Sequence, residues 1–316
     1  MTLKIGVVMD PISHIKIQKD STFAMLLEAQ KRQWSLHYMQ QQDLFLHNGM
    51  AYAHMRPLAV EDNPKSWFTL GTEQAQKLHE LDVILMRKDP PFNQEYIYTT
   101  YILEHAERAG ALIVNKPQSL RDANEKLFTT WFSQYCPETL VSRNCQQLRE
   151  FFFTHEEVIY KPLEAMGGHN VFLVRKGDPN LSVILESLTQ NGHNFIMAQR
   201  YIPEIVKGDK RVLLINGEPV PYALSRVPAK GELRGNLVAG AQGVGVEITA
   251  RDRAICAEIG PVLRAKGLIF VGIDIIGDYL TEINVTSPTC IREIDACFSM
   301  NISAQLLDCI EELRRG

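Results

Sequence analysis

A chain of 316 residues, 45% apolar and 22% charged, is long enough for two or three globular domains with substantial cores. Its 33 basic and 37 acidic residues leave a net charge of -4, which gives neither the basic footprint of a nucleic-acid binder nor a polybasic surface for anionic membranes. The six cysteines, Cys136, Cys145, Cys256, Cys290, Cys297 and Cys309, show no CxxC spacing and read as reduced thiols. The apolar run at 5–9 is too short for a signal-peptide core, and no run of about 18 apolar residues could span a bilayer. The expectation is a cytoplasmic protein whose anionic ligands are gripped locally.

The first third reads as alternating α/β structure. Residues 3–9 form a buried-strand run that ends at Asp10-Pro11, followed by an amphipathic helix at 22–32 and a strand at 36–39. Residues 81–86 form a strand ending in Arg87-Lys88-Asp89-Pro90-Pro91; a helix at 96–109 stops at Gly110, and a strand at 111–114 follows. Such alternation predicts a parallel sheet with helices on both faces and ligands at the carboxyl ends of the strands, where Asp10, Arg87 and Asn115 lie. The absence of GxGxxG after the first strand weakens a dinucleotide-binding reading.

Beyond Asn115, Ser119 or Asp122 can cap a helix carrying Lys126, and a compact unit runs to about Pro203. In it, a strand at 158–161 ends near Lys161 and a loop with Gly167-Gly168 leads to a strand at 171–174. Paired glycines let backbone N–H groups approach phosphate oxygens, with Lys161 adding a point charge, although such pairs more often mark plain turns. An apolar strand then enters a hinge at Gln199-Arg200-Tyr201-Ile202-Pro203, whose main chain can pair with an adenine edge or serve only as a linker.

Residues 208–227 read as two strands joined by Asn216-Gly217, the strongest short hairpin signal, with Arg211 and Arg226 at its outer ends. The segment 228–245 holds Gly231, Gly235, Gly240, Gly243 and Gly245 with Lys230 and Arg234 and almost no apolar periodicity. It is expected to be a lid, a binding loop or a disordered stretch rather than a core element. Helices at 250–266 and 303–314 flank the most informative run, FVGIDIIGDYLTEINVTSPTCIRE at 270–293.

That run sets Asp274 in one strand and Glu282 with Asn284 in the next. Glu282 and Asn284 share a face because side chains alternate along a strand. Asp274 joins them only if positions 274 and 282 are opposed, which predicts a three-residue loop, Gly277-Asp278-Tyr279, with Ile276 paired to Leu280. Three oxygen-bearing side chains completed by water and phosphate are the usual magnesium arrangement in ATP-using enzymes, whereas a lone acid pair would be a solvated face.

Taken in order, Lys126, Lys161, Gly167-Gly168, the Gln199 hinge, Asp209, Arg211, Arg226 and Asp274/Glu282/Asn284 resemble the ATP-grasp ligases. The runs VVMDPI at 7–12, DSTFAMLLEAQ at 20–30, LMRKDPPF at 85–92, VNKPQSLRDANEKL at 114–127 and GLIFVGIDIIGDYLTEINVTSPTCIREI at 267–294 are similar in detail to the bacterial glutathione synthetase family. Ala165 and His169 depart from it, standing where glycine and a small residue are expected in the phosphate loop.

The resemblance implies an α/β N-terminal parallel-sheet (pre-ATP-grasp) domain at 1–122, then an ATP-grasp fold of two α+β subdomains: a small one with the phosphate loop at 123–203, and a C-terminal one with lid and metal site at 204–316. It implies an ATP-dependent ligase that joins γ-glutamylcysteine and glycine through an acyl phosphate to give glutathione, ADP and phosphate, as a homo-oligomer, a tetramer, using magnesium or manganese. Lys126 and Lys161 with Gly167 and Gly168 would hold phosphates, Gln199, Tyr201 and Ile202 the adenine, and Asp209 the ribose. Asp274, Glu282 and Asn284 would bind metal; Arg211, Arg226 and Arg234 would serve the reaction; Arg87, Asn284, Ser287 and Thr289 would contact substrate. The competing readings are another ATP-grasp peptide or carboxylate-amine ligase and a nucleotide-binding regulator without catalysis. Cys290 lacks a recognisable paired base, and His169 reads as a solvated loop residue.

Overall fold

The computed structural model of the chain describes residues 2–315 except 165, 166, 233, 234, 236, 238 and 239. The N-terminal third begins with β1 (Lys4–Val8), an apolar run exposed only at its first residue. α1 (Ser21–Lys31) follows, capped by Asp20, whose carboxylate accepts from the Phe23 amide at 2.6 Å, and then β2 (Ser35–Met39). An antiparallel excursion comes next: β3 (Leu44–His47), β4 (Met50–Val60), β5 (Phe68–Leu70) and β6 (Gln74–Lys77). β7 (Val83–Met86), α2 (Gln94–Arg108), β8 (Leu112–Val114) and α3 (Pro117–Asp122) complete the unit.

The strand order is β3-β4-β2-β1-β7-β8, with β5 and β6 also on β4. β2, β1, β7 and β8 form the expected parallel sheet, and β4 extends it by joining β2 antiparallel. The excursion escapes a reading by apolar runs because β4 alternates buried and exposed positions over much of its length and β5 and β6 contain no fully buried residue. The expected helix around Lys126 is corrected. α3 stops at Asp122, and Lys126 precedes a 3-10 stretch, Leu127–Tyr135.

The middle of the chain forms β9 (Thr139–Ser142), α4 (Cys145–His155), β10 (Glu157–Pro162), β11 (Phe172–Arg175), α5 (Leu181–Thr189) and β12 (Ile196–Arg200). Its four-stranded antiparallel sheet, β11-β10-β12-β9, has a core of its own that includes Leu148, Phe152, Val158, Tyr160, Leu185 and Ile196.

The last third contributes β13 (Asp209–Ile215), β14 (Glu218–Val227), β15 (Gln242–Glu247), α6 (Ala250–Ala265), β16 (Phe270–Ile276), β17 (Tyr279–Asn284), α7 (Ile291–Phe298) and α8 (Ile302–Arg315). The five-stranded sheet runs β15-β14-β13-β16-β17. Asn216 and Gly217, at φ 48° and 82°, make the two-residue turn between β13 and β14 that this dipeptide favours. Residues 242–245, expected to be irregular, belong to β15. A Cβ on Gly245 would lie 2.7 Å from both Cys297 Cβ and Phe298 Cε2, so α7 requires glycine there.

The first and last thirds are welded together. Met86, Ile84 and Ile113 share one core with Val271, Ile273 and Leu280, and Val7 and Leu85 share another with Phe270, Leu306 and Ile310. The four-stranded sheet stands outside both. Among the described residues no helix is long and apolar enough to cross a membrane.

Candidate active site

A cleft of about 630 Å³ opens between the four-stranded and five-stranded sheets, with Asp89 and Pro90 from the β7–α2 connection at its edge. Its floor follows from strand alternation. Asp209 and Arg211 lie two residues apart on β13; Arg226 of β14 opposes Asp209, and Asp274 of β16 opposes Arg211. Residues opposed across an antiparallel ladder share a face, so two arginines and two aspartates converge.

They form a quartet in which Arg211, Arg226 and Asp274 are buried and Asp209 is half-buried. Arg211 grips Asp274 with Nε at 2.5 Å and a terminal nitrogen at 2.9 Å; Arg226 reaches Asp209 at 2.5 Å and Asp274 at 2.9 Å. Burial works to raise the pKa of Asp274, but the two guanidiniums outweigh it and hold the carboxyl well below its usual range. Asp209 goes the other way. Burial, reinforced by Asp274 and Glu282, pushes its carboxyl up to about 7 against the pull of Arg226, and its buried Oδ1 has no hydrogen-bond partner among the described residues.

The β16–β17 turn differs from expectation. Ile276 pairs with Tyr279 and Ile275 with Leu280, so the turn is the two-residue Gly277-Asp278 rather than a three-residue loop. A regular ladder from that turn would set Glu282 opposite Ile273 and turn it into the core. Instead the register shifts after Ile275, Thr281 is accommodated as an extra residue, and Glu282 opposes Asp274. Asn284 falls on the same face, its amide 3.3 Å from Asp274 Oδ2.

These groups fit a hard divalent cation. The opposed carboxylates and the Asn284 amide supply oxygen donors, and Glu282 is partly open to the cleft. Among the described residues no three His, Cys, Asp or Glu side chains form a protein-only cage, so such an ion would be completed by amide, water or phosphate oxygens.

The remaining expected residues fall into three groups. Lys161, Gly167, Gly168, Gln199, Tyr201, Ile202, Ser287 and Thr289 line the cleft. Lys161 is buried, which lowers its pKa, and it donates to the Thr281 carbonyl at 3.4 Å; Gln199 Nε2 donates to Thr139 Oγ1 at 3.0 Å. Lys126 lies behind the wall, buried, with Nζ 3.5 Å from Glu282 Oε1. Arg87 is also behind it: Nε donates to Thr22 Oγ1 at 3.0 Å and a terminal nitrogen to the Pro288 carbonyl at 2.8 Å, while Ser287 Oγ donates to the Arg87 carbonyl at 3.3 Å. Arg234 and Ala165 lie outside the described residues; His169 lines the cleft.

Sequence reasoning missed Glu125. This carboxylate lines the cleft and accepts from Thr286 Oγ1 at 3.2 Å; burial and then the nearby Glu282 raise its pKa. Its only sequence signal is its place beside Lys126 in the 114–127 run.

Residues 3–121 match the family model for the prokaryotic glutathione synthetase N-terminal domain, and residues 125–299 that for the prokaryotic glutathione synthetase ATP-grasp domain. The glutathione synthetase of Pseudomonas aeruginosa is 62% identical over 310 residues, and that of Escherichia coli (strain K12) 60% over 309, each covering 98% of both chains. Among solved structures, D-cycloserine synthetase DcsG aligns with a TM-score of 0.68 at 13% identity, covering 98% of this chain and 99% of that one. The ATP-grasp ligase PsnB, complexed with precursor peptide PsnA2 and AMPPNP, aligns with a TM-score of 0.63 at 16% identity and 99% coverage of each. At such identities these two structures speak for the ATP-grasp fold alone.

Proposed function

The chain belongs to the prokaryotic glutathione synthetase family, and from that premise we propose that it joins γ-glutamylcysteine to glycine at the expense of ATP, giving glutathione, ADP and phosphate. The observation that carries the reading at residue level is the convergence in one cleft of a phosphate-type lysine, the Asp209/Arg211/Arg226/Asp274 quartet and the Glu282/Asn284 face. Residues 1–122 serve as the pre-ATP-grasp domain, 123–203 as the small ATP-grasp subdomain and 204–316 as the C-terminal subdomain.

A carboxylate attacking the γ-phosphate brings two anions together, so positioning and compensating positive charge carry the catalysis. Gln199, Tyr201 and Ile202 receive the adenine. Asp209 takes the ribose, its unpartnered Oδ1 being an acceptor suited to a hydroxyl donor. Lys126 and Lys161 compensate the phosphate charge, and Gly167-Gly168 offers main-chain N–H groups. Asp274, Glu282 and Asn284 would hold magnesium, or manganese, which when bound neutralises charge on the β- and γ-phosphates. Arg211 and Arg226, fixed in advance by their two aspartates, face the carbonyl oxygen that becomes anionic when the glycine amine attacks the acyl phosphate. By the family resemblance Arg234, outside the described residues, would also serve the reaction, and the loop ahead of β15 would cover the intermediate against water. Asn284, Ser287 and Thr289 contact the dipeptide, and Arg87 acts on that loop from behind. The enzyme works in the cytoplasm as a homo-oligomer, a tetramer on the family pattern.

The test is phosphate release. Turnover of ATP is expected with γ-glutamylcysteine and glycine together, and not with D-alanine alone. Equal turnover with D-alanine would move the chain to another ATP-grasp ligase, and ATP binding without turnover on any acceptor pair would make it a sensor.

A further inference from the structure

β17 carries one residue more than its ladder with β16 needs. Take Thr281 away and the pairs Ile275–Leu280, Asp274–Glu282 and Ile273–Ile283 become consecutive, an unbroken register with the carboxylates still opposed. A chain without the extra residue would reach the same opposition of carboxylates, so the metal face alone does not call for it. A bulge leaves a residue unpaired and interrupts the ladder, and such features are kept where they redirect a group.

The redirected group is a carbonyl. Thr281 lines the cleft, and its main-chain oxygen accepts from Lys161 Nζ, which reaches it at 3.4 Å from β10 of the opposite sheet. Its hydroxyl donates to the Asp274 carbonyl at 3.1 Å and anchors the bulge on its own sheet. Lys161 and Thr281 are each only 6% exposed, so the ammonium has little water to hold it. We propose that Thr281 is a positioning residue for Lys161: the extra residue turns one main-chain oxygen out of the ladder so that the ammonium is fixed where nucleotide phosphate will lie. The choice of acceptor matters. A carbonyl orients the ammonium and leaves its charge intact for the phosphate, whereas a carboxylate in the same place would neutralise it and repel the ligand. The inference rests on the reading of Lys161 as a phosphate-binding residue.

The test is ADP binding by calorimetry in the absence of divalent cations, which reads the lysine without turnover. Deletion of Thr281 and Lys161→Gln are each expected to weaken ADP about tenfold, the size of one hydrogen bond to a charged group. The two changes together should weaken it no further than one alone, because they remove the same contact. The deletion should leave Mn²⁺ binding, followed by the electron spin resonance of the ion, as in the parent, and should raise KM for ATP but not for γ-glutamylcysteine. Parent-like ADP affinity after the deletion, or penalties that multiply, would overturn the proposal. Should the deletion not fold, T281V removes only the anchoring hydroxyl. About a threefold loss of ADP affinity, regained in T281S and absent in the Lys161→Gln background, is then expected; a loss unchanged in that background overturns the proposal. Failure of the parent to make glutathione would sink the functional reading while leaving this ADP measurement standing.

Discussion

Asn115 and Phe270 exchange a pair of hydrogen bonds, the side-chain amide of one against the main chain of the other: Asn115 Nδ2 donates to the Phe270 carbonyl at 2.7 Å, and Asn115 Oδ1 accepts from the Phe270 amide at 2.8 Å. The same Nδ2 donates to the Val285 carbonyl at 2.7 Å. A side chain at the end of β8 thus stands in for a neighbouring strand at the start of β16 and fixes the first third of the chain against the metal-site hairpin. Asn115→Ala would leave an amide and two carbonyls unsatisfied in the interior and should lower the unfolding free energy by about 3 kcal/mol, measured in urea with the slope unchanged. Asn115→Asp should be no better, since it would set a carboxylate against those carbonyls.

The two carboxylates of the metal face should part company when altered. Asp274 neutralises two buried guanidiniums, so Asp274→Asn should destabilise the ligand-free protein by about 3–5 kcal/mol. Glu282 is partly exposed and meets Lys126 at 3.5 Å; Glu282→Gln should melt within a few degrees of the parent and yet lose most turnover. Thermal melts beside peptide-formation assays separate the two, and equal destabilisation would contradict the quartet as described.

A pH dependence follows from the same ion pairs. The folded-state pKa of Asp274 lies below its ordinary 3.8, so its stabilisation is in place above 3.8 and is lost as the pH falls below it toward the folded value. Urea midpoints taken from pH 5 down to 2 should fall steeply for the parent and less steeply for Asp274→Asn.

Arg87 is placed to act through the loop it holds. Arg87→Lys keeps a charge but loses the fork that joins Thr22 to the Pro288 carbonyl, so the loop bearing Ser287 and Thr289 should loosen. KM for γ-glutamylcysteine should rise about tenfold, on the scale of a misplaced substrate contact, with KM for ATP within about twofold. A matching rise in both constants would show general damage instead.

Local chemistry was the readable part of this chain. The Asn216-Gly217 turn, the apolar β1 and the carboxyl ends bearing Asp10, Arg87 and Asn115 could be read because each is set by neighbours in sequence. The carboxylate pairing was legible in outcome but not in means, since a bulge is a property of two paired strands and Thr281 carries no mark of it. Glycines at 243 and 245 read as loop; they are strand residues pressed by Leu224, Cys297 and Phe298, a demand that exists only after folding. Glu125 was passed over for the same reason: its neighbours Glu282 and Thr286 come from β17 and the residues just after it, far along the chain.

The shared cores of the first and last thirds also bear on synthesis. α1 is covered by the final helix, with Arg32 bonded to the Ala304 carbonyl and to Asp308, and Asn301 to Glu28. A growing chain delivers β1, α1 and β7 long before β13, β16 and α8 emerge, so their apolar faces must wait on the ribosome for partners some two hundred residues downstream. The middle unit, with a core of its own, can close during that interval. Nascent chains halted once β12 has cleared the exit tunnel, but before α8 is made, should therefore carry one protease-resistant unit and, N-terminal to it, a sticky segment that recruits chaperones.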